Sequence, residues 1–380
     1  METDLTDVET AIRDLARDFA RDVCAPGAAE RDREERFPEQ IVRKAGELGL
    51  MGLLIPEEYG GSFAGNTALS LALIEINRVD ASVGVTLSVH ASLVSSCLEH
   101  WGNDEQKRRY LPRLASGEWL GSYALSETGA GSDAAGLVCK ATRDGEGWRI
   151  DGTKAWITSG DHADLVLLFA RTGPEQGSRG ISAFLVETAW PGFAVGKKEP
   201  KMGIRSSSTV QLHFDGLKVP DANLLGKLNE GFMVALHTLD GGRIGIACQA
   251  LGIMEACRDA SLAYAGERQQ FGKAIGDFQP IQWKLAEMEV RIRAARLLIL
   301  HAARLKDRGL PHTTDAAAAK LFASQGASYC AKEAIQIHGG AGYCTDYPVE
   351  RFFRDARITE IYEGTTEIQR LVIARSLRRG

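Results

Sequence analysis

Tyr123-Ala-Leu-Ser-Glu-Thr-Gly-Ala-Gly-Ser-Asp-Ala134 is the stretch whose reading separates the possible folds. Its second half, Gly129-Ala-Gly-Ser-Asp-Ala134, formally satisfies G-x-G-x-x-A, the loosest dinucleotide fingerprint, and comes after a strand-like run. A doubly wound nucleotide-binding unit needs a helix directly after such a turn, because the helix N-terminus receives the pyrophosphate. Here the turn leads instead into the alternating run Leu137 to Thr142 and the turn Asp144-Gly-Glu-Gly147. The stretch therefore reads as strand, glycine turn, strand. The turn is either a plain β-turn or an anion site, since its small residues let an anion approach backbone N–H groups and the Ser132 hydroxyl.

Outward from this point the β character continues. Trp148-Arg-Ile, Asp164 to Ala170 and Ile181 to Val186 are strand-like, and Val210, Leu212 and Phe214 alternate before Asp215-Gly216 and a turn at Val219-Pro220. Towards the N-terminus the period is helical, with Val8, Ile12, Leu15 and Phe19 on one stripe and Ile41, Ala45 and Leu48 on another. The segment from Leu50 to Gly61 breaks this pattern, and Asn66 to Val94 resumes as apolar helices buried on most sides. After Gly231 three long helices are predicted, Gly242 to Arg268, Pro280 to Arg308 and Thr314 to His338, each of ~25 residues and ~38 Å at 1.5 Å per residue. The expected fold is α+β in three domains: an N-terminal α-helical domain over 1–118, a middle β barrel or sandwich over 119–226, and a C-terminal helical bundle over 227–380.

Composition bounds the function. The 380 residues, 44% hydrophobic and 25% charged, have the averages of a folded globular chain. A net charge of −5 gives no general attraction to nucleic acid or an anionic membrane, and only Arg375 to Arg379 is locally basic. No apolar run is read as reaching the ~18 residues that span a bilayer, and the acidic start Met1 to Asp7 lacks a basic targeting region. A cytoplasmic protein is expected, or a mature matrix protein if the source is eukaryotic. Seven cysteines without C-x-x-C spacing read as small core residues, and the eight histidines have no H-E-x-x-H pairing, so no metal site is expected.

Two further stretches carry chemistry. Lys154-Ala-Trp-Ile-Thr-Ser-Gly160 places Trp156 two positions from the Thr158 hydroxyl, a pair suited to stacking on a ring while donating to its edge, or simply a strand with one buried tryptophan. In the polar segment Arg351 to Arg370, Thr366-x-x-Gln369 predicts a capping box for a last helix with Ile368, Leu371 and Val372 on its apolar face. Glu363 then lies in the preceding loop, between an aromatic and a glycine. It is placed either as a solvated loop carboxylate or as a general base whose pKa apolar surroundings would raise.

Taken together, Tyr123 to Asp133, Gln336-Ile-His-Gly-Gly-Ala-Gly-Tyr343 and Tyr347 to Arg370 resemble signatures of the acyl-CoA dehydrogenase flavoproteins, and the resemblance runs over essentially the whole chain. It implies a homotetramer, a dimer of dimers, with FAD between the middle and C-terminal domains. Tyr123, Leu125, Ser126, Gly131 and Ser132 would border the flavin or its pyrophosphate, and Trp156 and Thr158 the ring. Gln336, Gly339, Gly340, Thr365 and Glu367 would complete that site, while Arg268, Gln270, Phe271 and Gln279 would reach the cofactor of a neighbouring subunit. Asp240 and Arg243, read as the head of a long helix, with Ser132 and Gly364, would contact the acyl-CoA.

The implied reaction is α,β-dehydrogenation of an acyl-CoA thioester in fatty acid β-oxidation. Glu363 is implied as the base, the flavin as hydride acceptor and electron-transfer flavoprotein as electron acceptor. Some relatives carry their glutamate at the position of Gly242; glycine there keeps the base at Glu363. Leu239 to Gly252 looks nearest to the short-chain, butyryl branch. Branched-chain or carrier-protein-bound substrates are the alternatives, and a flavin monooxygenase or oxidase, or a nucleic-acid-binding relative, stand further off.

Overall fold

The computed structural model describes residues 5–174 and 177–378, so residues 1–4 of the acidic start and Arg379 of the basic tail lie outside the described residues. The N-terminal helices are α1 (Asp7–Phe19), α2 (Ala28–Glu34), α3 (Glu39–Glu47) and α4 (Gly65–Asn77). A continuous helix comes next, α5 (Ala81–Ser88) running through a π segment, Val89–Ser95, into α6 (Ser96–Trp101), and α7 (Asp104–Ala115) closes this part. Thr6 and Glu9 form a capping box at the start of α1, which buries Ala16 and Phe19. Val8 does not join that stripe: it is 55% exposed, because the first turn of α1 overhangs the core. The Ala81–Trp101 helix also corrects the reading of apolar runs, since at 21 residues it is long and apolar enough to cross a membrane. In this fold 94% of its most apolar window is covered by protein, so its apolar surface is a core surface.

The middle region is a sheet of eight strands: β1 (Gly121–Ala124), β2 (Lys140–Asp144), β3 (Gly147–Thr158), β4 (Leu165–Arg171), β5 (Ile181–Glu187), β6 (Phe193–Lys198), β7 (Thr209–Pro220) and β8 (Leu224–Leu225). Their order is β6-β7-β3-β2-β4-β5-β8, with β1 parallel to β4. No helix of the nucleotide-binding type comes after the glycine turn; a short 3-10 turn at Ala134–Gly136 leads into β2. One face of the sheet folds on itself around Trp148, Ile150, Val166, Phe184, Leu212 and Leu217. The other, with Leu165, Leu167, Phe169 and Leu185, packs on Leu98, Tyr110 and Leu114 of the N-terminal helices and on Val234. Asp215-Gly216 does not end a strand. Gly216 has φ +61° inside β7, where the β3 pairing slips between Ile150 and Gly152 and the Gly216 N–H donates to Asp151 Oδ1 at 2.7 Å.

The C-terminal part holds α8 (Gly231–Glu267), a small hairpin of β9 (Gln269–Gln270) and β10 (Lys273–Ala274), then α9 (Gln279–Asp307), α10 (Thr313–His338), α11 (Val349–Ile358) and α12 (Thr366–Leu377). Helix α8 is 37 residues long and starts at Gly231, not Gly242. Consequently Asp240 and Arg243 stand in its third and fourth turns instead of at its head. Glycine costs ~1 kcal/mol in a helix interior, yet α8 keeps several because its neighbours leave no room for a side chain. A Cβ on Gly252 would lie 2.7 Å from the Arg78 backbone N, and one on Gly245 would lie 2.2 Å from Ser88 Oγ. The two α-helical parts are also tied by Asp307, whose carboxylate accepts from the Thr67 N–H (2.9 Å) and Thr67 hydroxyl (2.6 Å) at the start of α4. Six cysteines are core residues; Cys344, read as a seventh, is exposed in the turn before α11.

Candidate active site

The loop that carries Glu363 joins α11 to α12. Thr365, one residue before the expected capping threonine, is the N-cap of α12 and accepts from the Ile368 N–H, so Thr366-x-x-Gln369 is not the capping box. Gln369 faces back instead, its side-chain amide donating to the Gly364 carbonyl at 2.8 Å and the Glu363 carbonyl at 3.3 Å. The expected apolar face of α12 is also only partly covered: Leu371 is exposed, and the buried positions are Thr366 and Gln369. Tyr362 Oη donates to Gln249 Oε1 on α8, and Gln249 Nε2 donates to the Ala81 carbonyl at 3.1 Å. The loop is thus tied to α8 and α5 at once.

Between these ties, Glu363 has φ +51° and Gly364 φ +89°. Positive φ at a glutamate is strained and persists only where the surroundings enforce it. The Glu363 side chain is turned inward onto α8, where a Cβ on Gly242 would lie 1.9 Å from Glu363 Oε2. Oε2 is buried and accepts no hydrogen bond, and among the described residues the Glu363 N–H has no acceptor. Burial pushes the carboxyl up to about 7, with the positive charges of Lys320 and Arg243 opposing the rise. Tyr123 of β1 is a neighbour whose buried Oη is likewise unpartnered, and burial raises its pKa well above the usual phenol value. Asp240 and Arg243 are buried and ion-paired to each other, and Thr313 Oγ1 donates to Asp240 Oδ2 at 2.5 Å.

The second half of the site is built by β3 and the glycine turn. The Ala155 N–H donates to the Ser126 carbonyl at 3.0 Å, which sets Leu125-Ser126 beside Trp156. Trp156 sits in the bulge of β3, where the register against β7 shifts between Lys154 and Ile157; with φ +58° its ring is 53% exposed. The buried-tryptophan reading of this stretch is therefore set aside. Gly131 and Ser132 are exposed, and nothing lies within 4 Å of a Cβ built on Gly131. An outward indole, an open small-residue turn and the unpartnered Tyr123 Oη together fit a large planar cofactor with a phosphate arm.

Beneath the turn, fully buried Lys154 donates from Nζ to Glu127 Oε1 (2.8 Å) and to the Leu125 carbonyl (2.9 Å), while Glu127 accepts the Val138 and Cys139 N–H groups. Breaking a buried pair from one side strands the other charge. Lys154→Met should cost about 3–5 kcal/mol of stability and lower the retained flavin, read from thermal unfolding and the visible-to-ultraviolet absorbance ratio.

Not every expected residue comes together in one chain. Arg268, Gln270 and Phe271 lie on the β9–β10 hairpin, with Phe271 94% exposed, and Gln279 is exposed at the start of α9. Gln336, Gly339 and Gly340 end α10 on the surface, and Glu367 is exposed in the first turn of α12. Among the described residues none of these shares a hydrogen bond with Glu363 or Trp156. Lys320 was not singled out in the sequence, although a lone charge after Ala316 to Ala319 in an apolar helical stretch is a signal that could have found it.

Comparison with known proteins agrees with this geometry. The family patterns for the acyl-CoA dehydrogenase N-terminal, middle and C-terminal domains match residues 6–118, 122–217 and 229–378. The chain is 49% identical over 376 residues to an acyl-CoA dehydrogenase of Bacillus subtilis, covering 99% of each chain. It is 47% identical to the short-chain specific acyl-CoA dehydrogenase of Clostridium acetobutylicum, over 98% of this chain and 99% of that one. The butyryl-CoA dehydrogenase structure from Megasphaera elsdenii superposes with a TM-score of 0.97 at 43% identity, covering 99% of both chains. A chain from the structural work on the electron transferring flavoprotein of Acidaminococcus fermentans and flavin-based electron bifurcation reaches 0.98 at 44% identity, covering 100% of both. The chain belongs to the acyl-CoA dehydrogenase family. It is an FAD-dependent oxidoreductase of acyl-CoA dehydrogenation.

Proposed function

We propose that this enzyme dehydrogenates a short-chain acyl-CoA to the trans-2-enoyl-CoA, with Glu363 as the base. The observation that carries the reading is the buried, unpartnered Glu363 Oε2 held against Gly242 of α8. A carboxylate with a free lone pair and a pKa near neutrality is matched to removing a weakly acidic proton beside a thioester. The unpartnered Glu363 N–H supplies a donor for the thioester carbonyl as negative charge develops there. Gly364 continues this wall of the substrate site, and Asp240 and Arg243 form its polar side.

FAD, when bound, supplies the acceptor for the β-hydrogen as hydride. Tyr123, Leu125, Ser126, Gly131, Ser132, Trp156 and Thr158 would hold it from the middle domain, and Thr365 and Glu367 from the α12 end. The exposed hairpin with Arg268, Gln270 and Phe271, together with Gln279, would complete the cofactor site of another copy, as would the α10 end with Gln336, Gly339 and Gly340; this supports a homotetramer. Electron-transfer flavoprotein is proposed as the electron acceptor, on the likeness to the Acidaminococcus chain. Identity to a short-chain specific enzyme and the likeness to a butyryl-CoA dehydrogenase support the chain length.

Anaerobic titration of the flavin-loaded protein with butyryl-, isobutyryl- and octanoyl-CoA tests the substrate. The expected result is bleaching of the visible flavin band at lowest concentration by butyryl-CoA. Preferential bleaching by isobutyryl-CoA, or none by any of the three, would move the substrate to a branched or carrier-bound thioester.

A further inference from the structure

Lys320 is the one feature of the base's surroundings that the reaction as derived does not use. It lies in the third turn of α10, fully buried, on a helix whose neighbouring positions Ala316, Ala317, Ala319 and Ala323 are buried as well. A lysine left in such a place loses the hydration of its ammonium, and burial lowers its pKa accordingly. Buried lysines are normally paired with a carboxylate, yet among the described residues Lys320 forms no ion pair. Its Nζ donates to the Gly364 carbonyl, the residue directly after the base, in the loop where Glu363 and Gly364 both take positive φ.

The charges around Glu363 can be assigned element by element. From α8 comes Arg243, already ion-paired to Asp240; from β1 comes Tyr123, whose raised pKa keeps it neutral. Within the loop, Tyr362 is a neutral phenol bonded to Gln249, and Glu360 is paired with Arg357 and accepts from Ser328. From α12 comes only the neutral amide of Gln369. Among the described residues Lys320 from α10 is thus the cation facing Glu363 that has no ion pair of its own, with Glu360 its one further carboxylate neighbour beyond ion-pair distance.

We propose that Lys320 is a positioning residue for the reaction: its ammonium anchors the strained Glu363-Gly364 corner through the Gly364 carbonyl and keeps the neighbouring carboxylate ionised and ready to accept a proton. This rests on the reading of Glu363 as the base. Gln369 donates to the same carbonyl, so the corner keeps one anchor when Lys320 is replaced. What Lys320 adds beyond that is charge.

The test uses the full-length, flavin-loaded protein and butyryl-CoA. In Lys320→Met and Lys320→Gln the acid limb of kcat/KM should move up by about one pH unit. The rate at pH 7 would then fall about fivefold, approaching the tenfold that one unit implies well below pH 7, and recover in alkali. Lys320→Arg, which keeps the charge, should retain the wild-type limb. Lys320→Gln keeps a donor and carries the test if the methionine variant does not fold. An independent readout is thermal stability at pH 8: Glu363→Gln should raise the unfolding temperature more in the Lys320→Gln background than in wild type. An acid limb unmoved in both neutral variants, with Glu363→Gln inactive, overturns the role of Lys320 alone. Wild-type turnover in Glu363→Gln overturns the base reading, and this inference with it.

Discussion

Glu363→Gln lowers the rate of flavin reduction by butyryl-CoA by about 10³-fold or more, the scale that general-base catalysis contributes, while the protein stays folded and yellow. The amide has nearly the shape of the carboxylate, so the loop anchored by Tyr362, Lys320 and Gln369 is left as it is. Only the proton acceptor disappears. The same substitution should stabilise the protein, and the sign comes from the direction of the shift. A carboxyl whose folded-state pKa is raised to about 7 from 4.5 prefers to be protonated when folded. Its ionisation therefore destabilises the fold, by nothing below about pH 4.5 and by the full amount above about pH 7.

The gap corresponds to about 3 kcal/mol, or a few degrees in unfolding temperature. Glu363→Gln and wild type should unfold together near pH 4 and separate as pH rises to 8. In wild type the same ionisation produces an acid limb near pH 7 in kcat/KM. Rapid flavin reduction by the variant in a stopped-flow experiment would remove Glu363 from the mechanism.

Gly242→Ala is the second large effect, and it needs no loss of chemistry at the base. The added methyl would lie 1.9 Å from Glu363 Oε2 and 2.7 Å from Leu93 Cδ2. Leu93 belongs to the packed π segment and has little room to yield, so the carboxylate must move. A displacement of about 1 Å in a reacting group costs of the order of 10²-fold, and the loss should appear in kcat with flavin content unchanged. Helix propensity predicts the opposite sign for stability, since alanine is favoured over glycine by ~1 kcal/mol inside a helix. A variant with normal turnover would show that the carboxylate does not work from the position seen here.

Much of this site is local in sequence. Glu363 between Tyr362 and Gly364, just before a helix, is legible because loop, cap and base are contiguous, although the cap proves to be Thr365 instead of Thr366. The glycine turn after Tyr123 is legible as β because the alternation of the residues after it excludes a helix. The misread boundaries lie where packing overrides local preference. Gly242 looked like a helix start and is helix interior, because α8 must approach the Glu363 loop and the π segment closely. Asp215-Gly216 looked like a strand end and is a bulge, because β3 pairs with β7 both before and after it.

By itself, then, the sequence determined the α, β, α succession and the family signatures, and it singled out Glu363 as the candidate carboxylate, since periodicity, turn chemistry and contiguous motifs are properties of neighbouring residues. Only the tertiary structure decided which face of α8 meets Glu363, that Trp156 is turned outward by a bulge, and that a lysine 43 positions before Glu363 lies beneath its loop. Those relations depend on helices and strands far apart in the chain being packed to contact. There a single methyl or a single buried charge changes the outcome, and no local pattern records the distance between them.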